Sequence, residues 1–500
     1  MSRTDPSSRR RLTAQGDRWS RLGCLAIVSA ALAGCAVSAD YRRPLLEVPA
    51  SYKEVGPWKL AEPLPAGSDE AWWTVFGDRE LDALVERAGR ANQSIAQAEA
   101  QYRQARALAD AARAGLWPVV GMSAGVTRAQ TNSNGVKEAT NPTLGLGASW
   151  APDLWGGAQR AAEAGQAGAE ASADQLAGAR LAVQALLAQD YLQLRVTDRL
   201  LRLYAETTEA YARALRLTQS LFGAGVALKS DVALAESQLE SARAQAVDLQ
   251  GQRSQLEHAI AVLTGQAPAT FTLVAAPADQ AQWTAQLPTI PVGLPSQLLE
   301  RRPDIAAAER LAAQANAGIG VARAAYFPTL TLSAGAGFSG SGLSTLFDTP
   351  SRVWSLGAAL AATLFDGGAR AARSSQALAT YDAAVAQYKQ TVLAGFQQVE
   401  DNLALLRVLA QEIELQERAV AAARRAEAVA LAQYRGGTAT YLTVVTAQTL
   451  SLANQRTAEQ LRGRQWLASV ALIAATGGGW SATPPPAPGS APAQPVPPST

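Results

Sequence analysis

Two stretches of the chain, 158–221 and 369–434, each run for more than sixty residues without a proline. In the second stretch apolar side chains recur in ten steps over 413 − 378 residues, a mean of about 3.5, which is the coiled-coil period. These positions are Leu378, Tyr381, Val385, Tyr388, Val392, Phe396, Val399, Leu403, Leu406, Ala410 and Ile413. At about 1.5 Å per residue, each stretch predicts a helix on the order of 100 Å long. No globular core can hold such a helix, so the sequence predicts an elongated molecule.

Each long stretch is followed by a glycine break and a second helical stretch. The predicted helices are 157–221 and 226–265, then 368–434 and 438–475, and each pair should form an antiparallel hairpin. Hairpins from several chains would line a hollow cylinder or pack as a solid coiled-coil stalk. The helical pattern alone leaves both possibilities open.

Four segments of about ten residues alternate between apolar and small or hydroxylated side chains, and they predict strands at 118–128, 142–152, 328–338 and 353–365. In the third segment one face carries Leu330, Leu332, Ala334, Ala336 and Phe338. Ten tilted residues span a bilayer, and an apolar face opposite a small polar one is typical of a strand between lipid and water. A soluble, half-buried sheet would alternate in the same way. The polar stretches 128–141 and 339–352 are predicted external loops.

Four strands cannot close a barrel, and lipid does not tolerate an open sheet edge. The sequence therefore predicts an oligomer, with three copies giving twelve strands. The predicted fold class is an α+β membrane protein in which long antiparallel coiled-coil helices form an α-barrel and four strands per chain enter a twelve-stranded transmembrane β-barrel.

The chain carries an internal repeat. The motif Arg113–Pro118 reappears as Arg323–Pro328, an offset of 328 − 118, about 210 residues, and the glycine pairs and breaks nearly keep that spacing. We predict a repeat 1 at 86–295 and a repeat 2 at 296–480, after an N-terminal segment at 35–85. The tail 481–500, rich in Pro, Ala and Ser, is predicted to be disordered.

The N-terminus reads as a signal peptide, 1–34. Arg18 and Arg21 precede an apolar run from residue 22 to residue 33. The sequence Leu-Ala-Gly-Cys35 resembles the lipobox of bacterial lipoproteins, and this resemblance implies a covalent lipid on Cys35. By the same resemblance Ala36 implies sorting to the outer membrane. The alternative is that Cys35 is only a small residue beside an ordinary cleavage site.

The composition argues against catalysis. His258 is the sole histidine, and after cleavage Cys35 would be the sole cysteine, so no metal cluster and no Ser-His-Asp or Cys-His set can be assembled. No phosphate-binding or dinucleotide motif occurs. A net charge of +2 gives no nucleic-acid footprint. We predict no enzyme activity, no metal, no cofactor beyond the lipid, and no nucleic-acid partner.

Several motifs in a fixed order resemble the TolC-like outer-membrane efflux proteins, in their lipoprotein branch. They are Asp40-Tyr41, Trp72-Trp73, Arg301–Ile305, Tyr326–Pro328 and Tyr434–Thr438 with Tyr441-Leu442. The resemblance extends from about residue 35 to residue 479. It implies a homotrimer that joins a periplasmic adapter and an inner-membrane transporter of the resistance–nodulation–division type, with outer-membrane lipid around its barrel.

The resemblance also implies roles for the two glycine breaks. Family adapters dock on these turns, which are Gly223, Ala224, Gly225 and Val226 in one and Gly436, Gly437 and Thr438 in the other. Where several relatives carry acidic gate residues, this chain has Thr443 and Thr446. Asp231 is retained, and we predict that Tyr434 or Arg435 reaches it in a closed state.

The predicted function is a passive outer-membrane duct of a tripartite pump that exports small toxic molecules. Two alternatives remain at this stage. One is an elongated periplasmic coiled-coil lipoprotein that acts as an adapter or spacer, and the other is an exit duct for protein secretion.

Overall fold

The computed structural model describes residues 40–54, 71–131, 137–275 and 301–478. The signal peptide, Cys35 and the tail 481–500 lie outside these residues. The described elements, in chain order, are α1 (Arg79–Ala91), α2 (Gln93–Ala114), β1 (Val119–Thr131), β2 (Lys137–Trp150), α3 (Gly157–Gly223), α4 (Lys229–Leu263), α5 (Pro303–Ala324), β3 (Thr329–Ser339), β4 (Arg352–Ala361), α6 (Ala369–Arg435) and α7 (Tyr441–Ala475).

The same succession of elements occurs twice. The first series, α2, β1, β2, α3 and α4, has helices of 22, 67 and 35 residues. The second series, α5, β3, β4, α6 and α7, has helices of the same three lengths. None of the described helices contains a stretch long and apolar enough to cross a membrane.

The chain divides into two compact units. One consists of Met1–Leu45, Arg103–Ala171 and Ala308–Tyr388, and it contains the sheet. The other consists of Leu46–Tyr102, Ser172–Ala307 and Lys389–Thr500, and it contains the turns between α3 and α4 and between α6 and α7.

The sheet has four antiparallel strands in the order β1-β2-β3-β4. Its register puts apolar side chains from all four strands side by side, as in the row Met122, Leu146, Ala336 and Trp354. Because the side-chain period of a strand is two, the next row faces the other way. That row is Gly121, Gly147, Gly335 and Ser355. The sheet therefore has one apolar face and one face of small residues.

Strand ends differ from the sequence-based bounds in two places. β1 and β2 continue to Thr131 and from Lys137, so the predicted loop 128–141 is wrong in extent. The alternation of apolar residues stops at Val126, and polar cross-strand pairs such as Arg128 with Thr140 and Gln130 with Glu138 continue the ladder. A diagonal ion pair joins Arg128 to Glu138 at 2.5 Å. β4 ends at Ala361 and not at 365, because Ala361 already pairs with the first residue of β3.

Helix starts also differ by a few residues. α4 begins at Lys229 and α7 at Tyr441, three residues later than predicted in each case, because the turns occupy 224–228 and 436–440. α1 is an amphipathic helix. Leu81, Leu84, Val85 and Ala88 lie on one buried face, and the Asp78 side chain caps the first turn.

The last helix of each series ends against the start of a 22-residue helix. The Asn92 side-chain amide donates to the Leu263 carbonyl over 2.9 Å, at the end of α4. In the second series Arg302 Nη1 donates to the Ala475 carbonyl over 3.1 Å, at the end of α7. These bonds satisfy carbonyls that the helix itself leaves without a partner. Asn92 in the first series and Arg302 in the second therefore cap the C-terminal end of the 35-residue helix in the same way.

Candidate functional site

The apolar face of the sheet has no cover within the described chain. Trp354 is 78% exposed, Leu356 76% and Leu360 67%, and Met122 and Val120 on β1 are similarly open. Soluble proteins rarely leave a contiguous apolar patch of this kind uncovered, and such patches mark membrane or protein contact. This face is the first candidate functional surface.

Tryptophans lie where the strands meet the helices. Trp150, the last residue of β2, donates its indole N–H to the Leu116 carbonyl over 3.0 Å. Trp155 donates to the Pro328 carbonyl over 2.6 Å, and its ring stacks on Phe327 at 4.9 Å between centroids. Tryptophan is enriched where a membrane meets water, because its ring is apolar and its N–H is polar. This end of the sheet has the chemistry of such a boundary.

The turn between α3 and α4 is built on Gly225, whose φ of +75° lies in the left-handed region. The amides of Val226 and Ala227 donate to the Leu221 carbonyl over 2.9 and 3.2 Å. This pattern ends a helix in a tight turn. Val226 is 70% exposed, and Phe222 and Leu228 are also open, so this turn presents apolar side chains.

The turn between α6 and α7 repeats the geometry with different side chains. Gly437 has a φ of +73°, and the Thr438 amide donates to the Gln433 carbonyl over 2.9 Å. Its exposed residues, Arg435, Gly436 and Thr438, are polar or small. All seven predicted docking residues are exposed: Gly223, Ala224, Gly225 and Val226 in the first turn, and Gly436, Gly437 and Thr438 in the second.

The predicted gate residues do not form one cluster. The Asp231 carboxylate accepts the Leu228 amide over 3.1 Å and so caps its own helix. Tyr434 is buried, and its hydroxyl donates to Thr218 Oγ1 over 3.4 Å. Arg435 is exposed and makes no ion pair with any residue in the described ranges.

The two threonines lie on the exposed side of α7. Thr443 Oγ1 is 3.3 Å from Thr440 Oγ1, and the Thr446 hydroxyl donates to the Leu442 carbonyl over 2.9 Å. Both hydroxyls are therefore satisfied locally. Neither hydroxyl forms a hydrogen bond with Asp231 in the described chain.

The sequence did not single out the partners of Tyr434. Its ring lies edge-on to Tyr441, 5.2 Å between centroids, in a buried cluster with Ala235, Ala430 and Val444. Burial raises the pKa of Tyr441 to about 12, with a smaller contribution from Tyr434. The cluster joins residues of α4, α6 and α7, so it fixes the two turns against each other. Thr218 and Tyr434 lie 216 residues apart, and no local pattern links them.

The sequence pattern also did not predict a buried charge network around Asp198. Arg195, with 6% of its side chain exposed, pairs with Asp198 over 3.2 Å and with Glu80. Arg253 Nε approaches the other Asp198 oxygen at 2.8 Å. Asp198 is only 4% exposed, so it depends on both guanidinium groups for its solvation.

This network holds the chain that follows α4. Arg253 Nη2 donates to the Leu273 carbonyl over 2.7 Å, and Glu257 accepts the Leu273 amide over 2.7 Å. Arg195 donates to the Val274 carbonyl over 3.1 Å. The charged side chains of Arg195, Arg253 and Glu257 thus bind the backbone of this segment. We call this network a structural clamp. Among the described residues, no group of acidic, histidine or cysteine side chains could hold a metal.

Comparison with known proteins gives the family. The model of the outer membrane efflux protein family matches residues 84–266 and 294–478. The pyoverdine export outer membrane protein OpmQ of Pseudomonas aeruginosa is 34% identical over 83% of this chain and 90% of its own length. The probable outer membrane lipoprotein SilC of Salmonella typhimurium is 27% identical, over 90% of this chain and 96% of its own.

A solved structure agrees with these relatives. The outer-membrane channel OprN superposes with a TM-score of 0.83 at 31% identity, over 89% of this chain and all of that one. The predicted α+β channel fold is confirmed, as are the predicted outer-membrane location and the function as an efflux duct. The chain belongs to the outer membrane efflux protein family and is the outer-membrane duct of an efflux pump.

Proposed function

We propose that three copies of the chain close one twelve-stranded barrel in the outer membrane, continued by an α-barrel of their long helices. The observation that carries this proposal is the open sheet. Within the described residues β1 and β4 each have one edge without a partner strand, and the face between them is apolar and uncovered. A sheet in lipid has to pair both edges, which joining β4 of one copy to β1 of the next accomplishes.

A matched pair of neighbouring residues on β4 tests which face meets lipid. Leu356 lies on the apolar face and Ser355 on the small-residue face. Leu356→Arg should cost about 2–4 kcal/mol near the bilayer midplane and deplete the trimer, whereas Ser355→Arg should leave the trimer in place. The measurement is the amount of heat-modifiable trimer in the outer-membrane fraction. Equal yields of trimer from the two variants would contradict the proposed assembly.

Cys35 is proposed to carry the lipid anchor, in keeping with the name of its relative SilC. Asp40 pairs with Arg160, in the first turn of α3, at 3.0 Å. Five residues reach at most about 18 Å, so an acyl group on Cys35 would stay near this end of α3. Mass spectrometry of the mature N-terminus should find a lipidated cysteine, and Cys35→Ser should remove the modification. An unmodified residue 35 in the wild-type protein would rule out the anchor.

The two turns are the proposed docking sites of a periplasmic adapter, which would link the duct to an inner-membrane resistance–nodulation–division transporter. The exposed Val226 and Thr438 are the most direct probes. Val226→Asp and Thr438→Asp should weaken co-purification with a periplasmic adapter that the wild-type protein retains. Val247→Asp is the matched control, because Val247 is also exposed but lies well away from the turn on α4. A control that weakens binding as much as the two turn variants would refute docking at the turns.

The gate is proposed to lie at the same turns, with the exposed Arg435, Thr443 and Thr446 and the half-buried Asp231. Tyr434 would act by holding the turns together through Thr218, since its hydroxyl is already engaged there. Asp231→Ala should change single-channel conductance, and an unchanged conductance would remove Asp231 from the gate.

The proposed cargo is small toxic molecules, carried passively and without chemical change. One relative is named for the export of pyoverdine. Deletion of the gene should raise sensitivity to dyes, detergents or antibiotics without affecting secreted proteins. Loss of a secreted protein with unchanged drug sensitivity would favour a protein-secretion duct instead.

A further inference from the structure

The chain that follows β4 exposes two large apolar side chains at the helix end of the sheet. Leu364 is 94% exposed and Phe365 is 90% exposed. Leu364 also continues the even-numbered apolar series that includes Leu356 and Leu360. The apolar face of the sheet therefore runs on past its last paired residue.

A basic cluster lies beside these side chains. Asp366 follows Phe365 directly and accepts Arg370 Nε over 2.6 Å. The Arg370 guanidinium lies over the Tyr326 ring, 5.5 Å from its centroid. The Tyr326 amide donates to the Arg323 carbonyl over 3.1 Å, so Arg323 is one turn away from the ring. Asp366 offsets the charge of only one of these arginines.

Arg373 completes the cluster. It stands three residues after Arg370 on α6, and residues three apart share a helix face. Arg373 and Arg323 are both exposed, and neither guanidinium group has a hydrogen bond or ion pair with any residue in the described parts of the chain. The segments joined by the contact between Arg370 and Tyr326 thus carry two guanidinium groups without a partner in the described chain, and α6 begins four residues after the exposed Phe365.

The first series fills the equivalent place differently. Arg113, the counterpart of Arg323, donates to Gln166 over 2.8 Å. Trp155, in the turn after β2, is stacked on Phe327 and has its indole N–H bonded. In the second series the Arg323 side chain has no partner in the described chain, and Leu364 and Phe365, at 94% and 90%, are far more exposed than Leu154, at 40%, in the turn after β2.

We propose that Arg323 and Arg373, with Tyr326, Leu364 and Phe365, bind an anionic phospholipid of the periplasmic leaflet. Guanidinium groups match phosphate geometrically, and basic residues at a membrane surface attract anionic headgroups. The acyl chains would lie along Leu364 and Phe365, and the Tyr326 hydroxyl would reach the headgroup region. The inference rests on the proposed assembly, in which the apolar face of the sheet meets lipid.

The test compares lipid binding to the full-length trimer by native mass spectrometry. The probes are phosphatidylglycerol and phosphatidylethanolamine with identical acyl chains. The wild type should prefer phosphatidylglycerol, and Arg323→Ala with Arg373→Ala should reduce that preference by roughly fivefold per arginine, about 25-fold together. Arg113→Ala is the control at the equivalent place in the first series. Arg425→Ala, an exposed arginine elsewhere on α6, is the control on the same helix.

Two results would overturn the inference: a double variant that keeps the preference, or controls that lose it to the same degree. If the double variant forms no trimer, Arg323→Lys with Arg373→Lys replaces it and should retain most of the preference, whereas its full loss would contradict a charge-based site. A wild type that forms no trimer would contradict the proposed assembly. A wild-type trimer without any lipid preference would contradict this inference alone.

Discussion

The turn after α7 packs against the backbone just before α5, and this close approach can be tested by substitution of one glycine. Gly477 has a φ of +98°, and a Cβ at that position would lie 2.0 Å from the Arg301 carbonyl oxygen and 2.7 Å from its carbon. The obstacle is backbone, which cannot rotate away as a side chain would. Gly265 occupies the same place in the first series, with a φ of +70° and a Cβ that would lie 2.4 Å from the Ala91 carbonyl oxygen.

A third glycine separates the two physical causes. Gly437 has a φ of +73°, but no atom would lie within 4 Å of an added Cβ. Gly437→Ala should therefore cost only the left-handed conformation, about 1–2 kcal/mol. Gly477→Ala pays that strain and also has to displace the Arg301 backbone. It would disturb the neighbouring bond from Arg302 to the Ala475 carbonyl, so its total cost should exceed about 3 kcal/mol.

The assay is urea unfolding of the detergent-purified protein, followed by circular dichroism of the helices. Gly477→Ala and Gly265→Ala should lose at least about 1 kcal/mol more unfolding free energy than Gly437→Ala. Equal losses in all three variants would refute the argument, because backbone strain alone would then explain the data.

Other predictions concern charge, burial and capping. Asp198→Ala should cost about 3–5 kcal/mol of unfolding free energy because it leaves the buried Arg195 and the half-buried Arg253 without their shared partner. Glu414→Ala, from an exposed ion pair, should cost at most about 0.5 kcal/mol, and similar costs for the two variants would contradict the clamp. Burial raises the folded-state pKa of Tyr441 to about 12, above the unfolded value near 10, so its contribution is complete below pH 10 and is lost as pH rises towards 12. Tyr441→Phe should flatten the alkaline fall in thermal stability, and an unchanged pH profile would contradict this assignment. Asp78→Ala should cost about 2 kcal/mol in urea unfolding, since Asp78 caps α1 and also accepts the Tyr191 hydroxyl at 2.7 Å; a cost no greater than that of Glu414→Ala would show that the cap is not needed.

Long periodic segments made most of the fold predictable. Proline-free runs of more than sixty residues, with a coiled-coil period over 378–413 in the second, indicated α3 and α6, and ten-residue alternation indicated all four strands. Boundaries were less accurate where the pattern stopped before the structure did. The ladder of β1 and β2 continues through polar pairs that carry no apolar signal, and β4 ends where its partner strand begins.

The functional sites were also predictable only in part. Glycine breaks identified the two turns, because a left-handed residue there is nearly always glycine. Neither the interactions that hold the turns nor the buried charge network could be predicted from local sequence. Tyr434 meets Thr218 across 216 positions, and Glu80 meets Arg195 across 115. Such pairs depend on how the helices pack, which a single sequence does not encode locally.

The most direct test of the duct is single-channel recording from the purified mature protein in planar lipid bilayers. The fraction that migrates as a trimer before heating should add discrete, uniform steps of ion conductance. Protein that is monomeric in detergent and adds no conductance above the lipid alone would contradict the account.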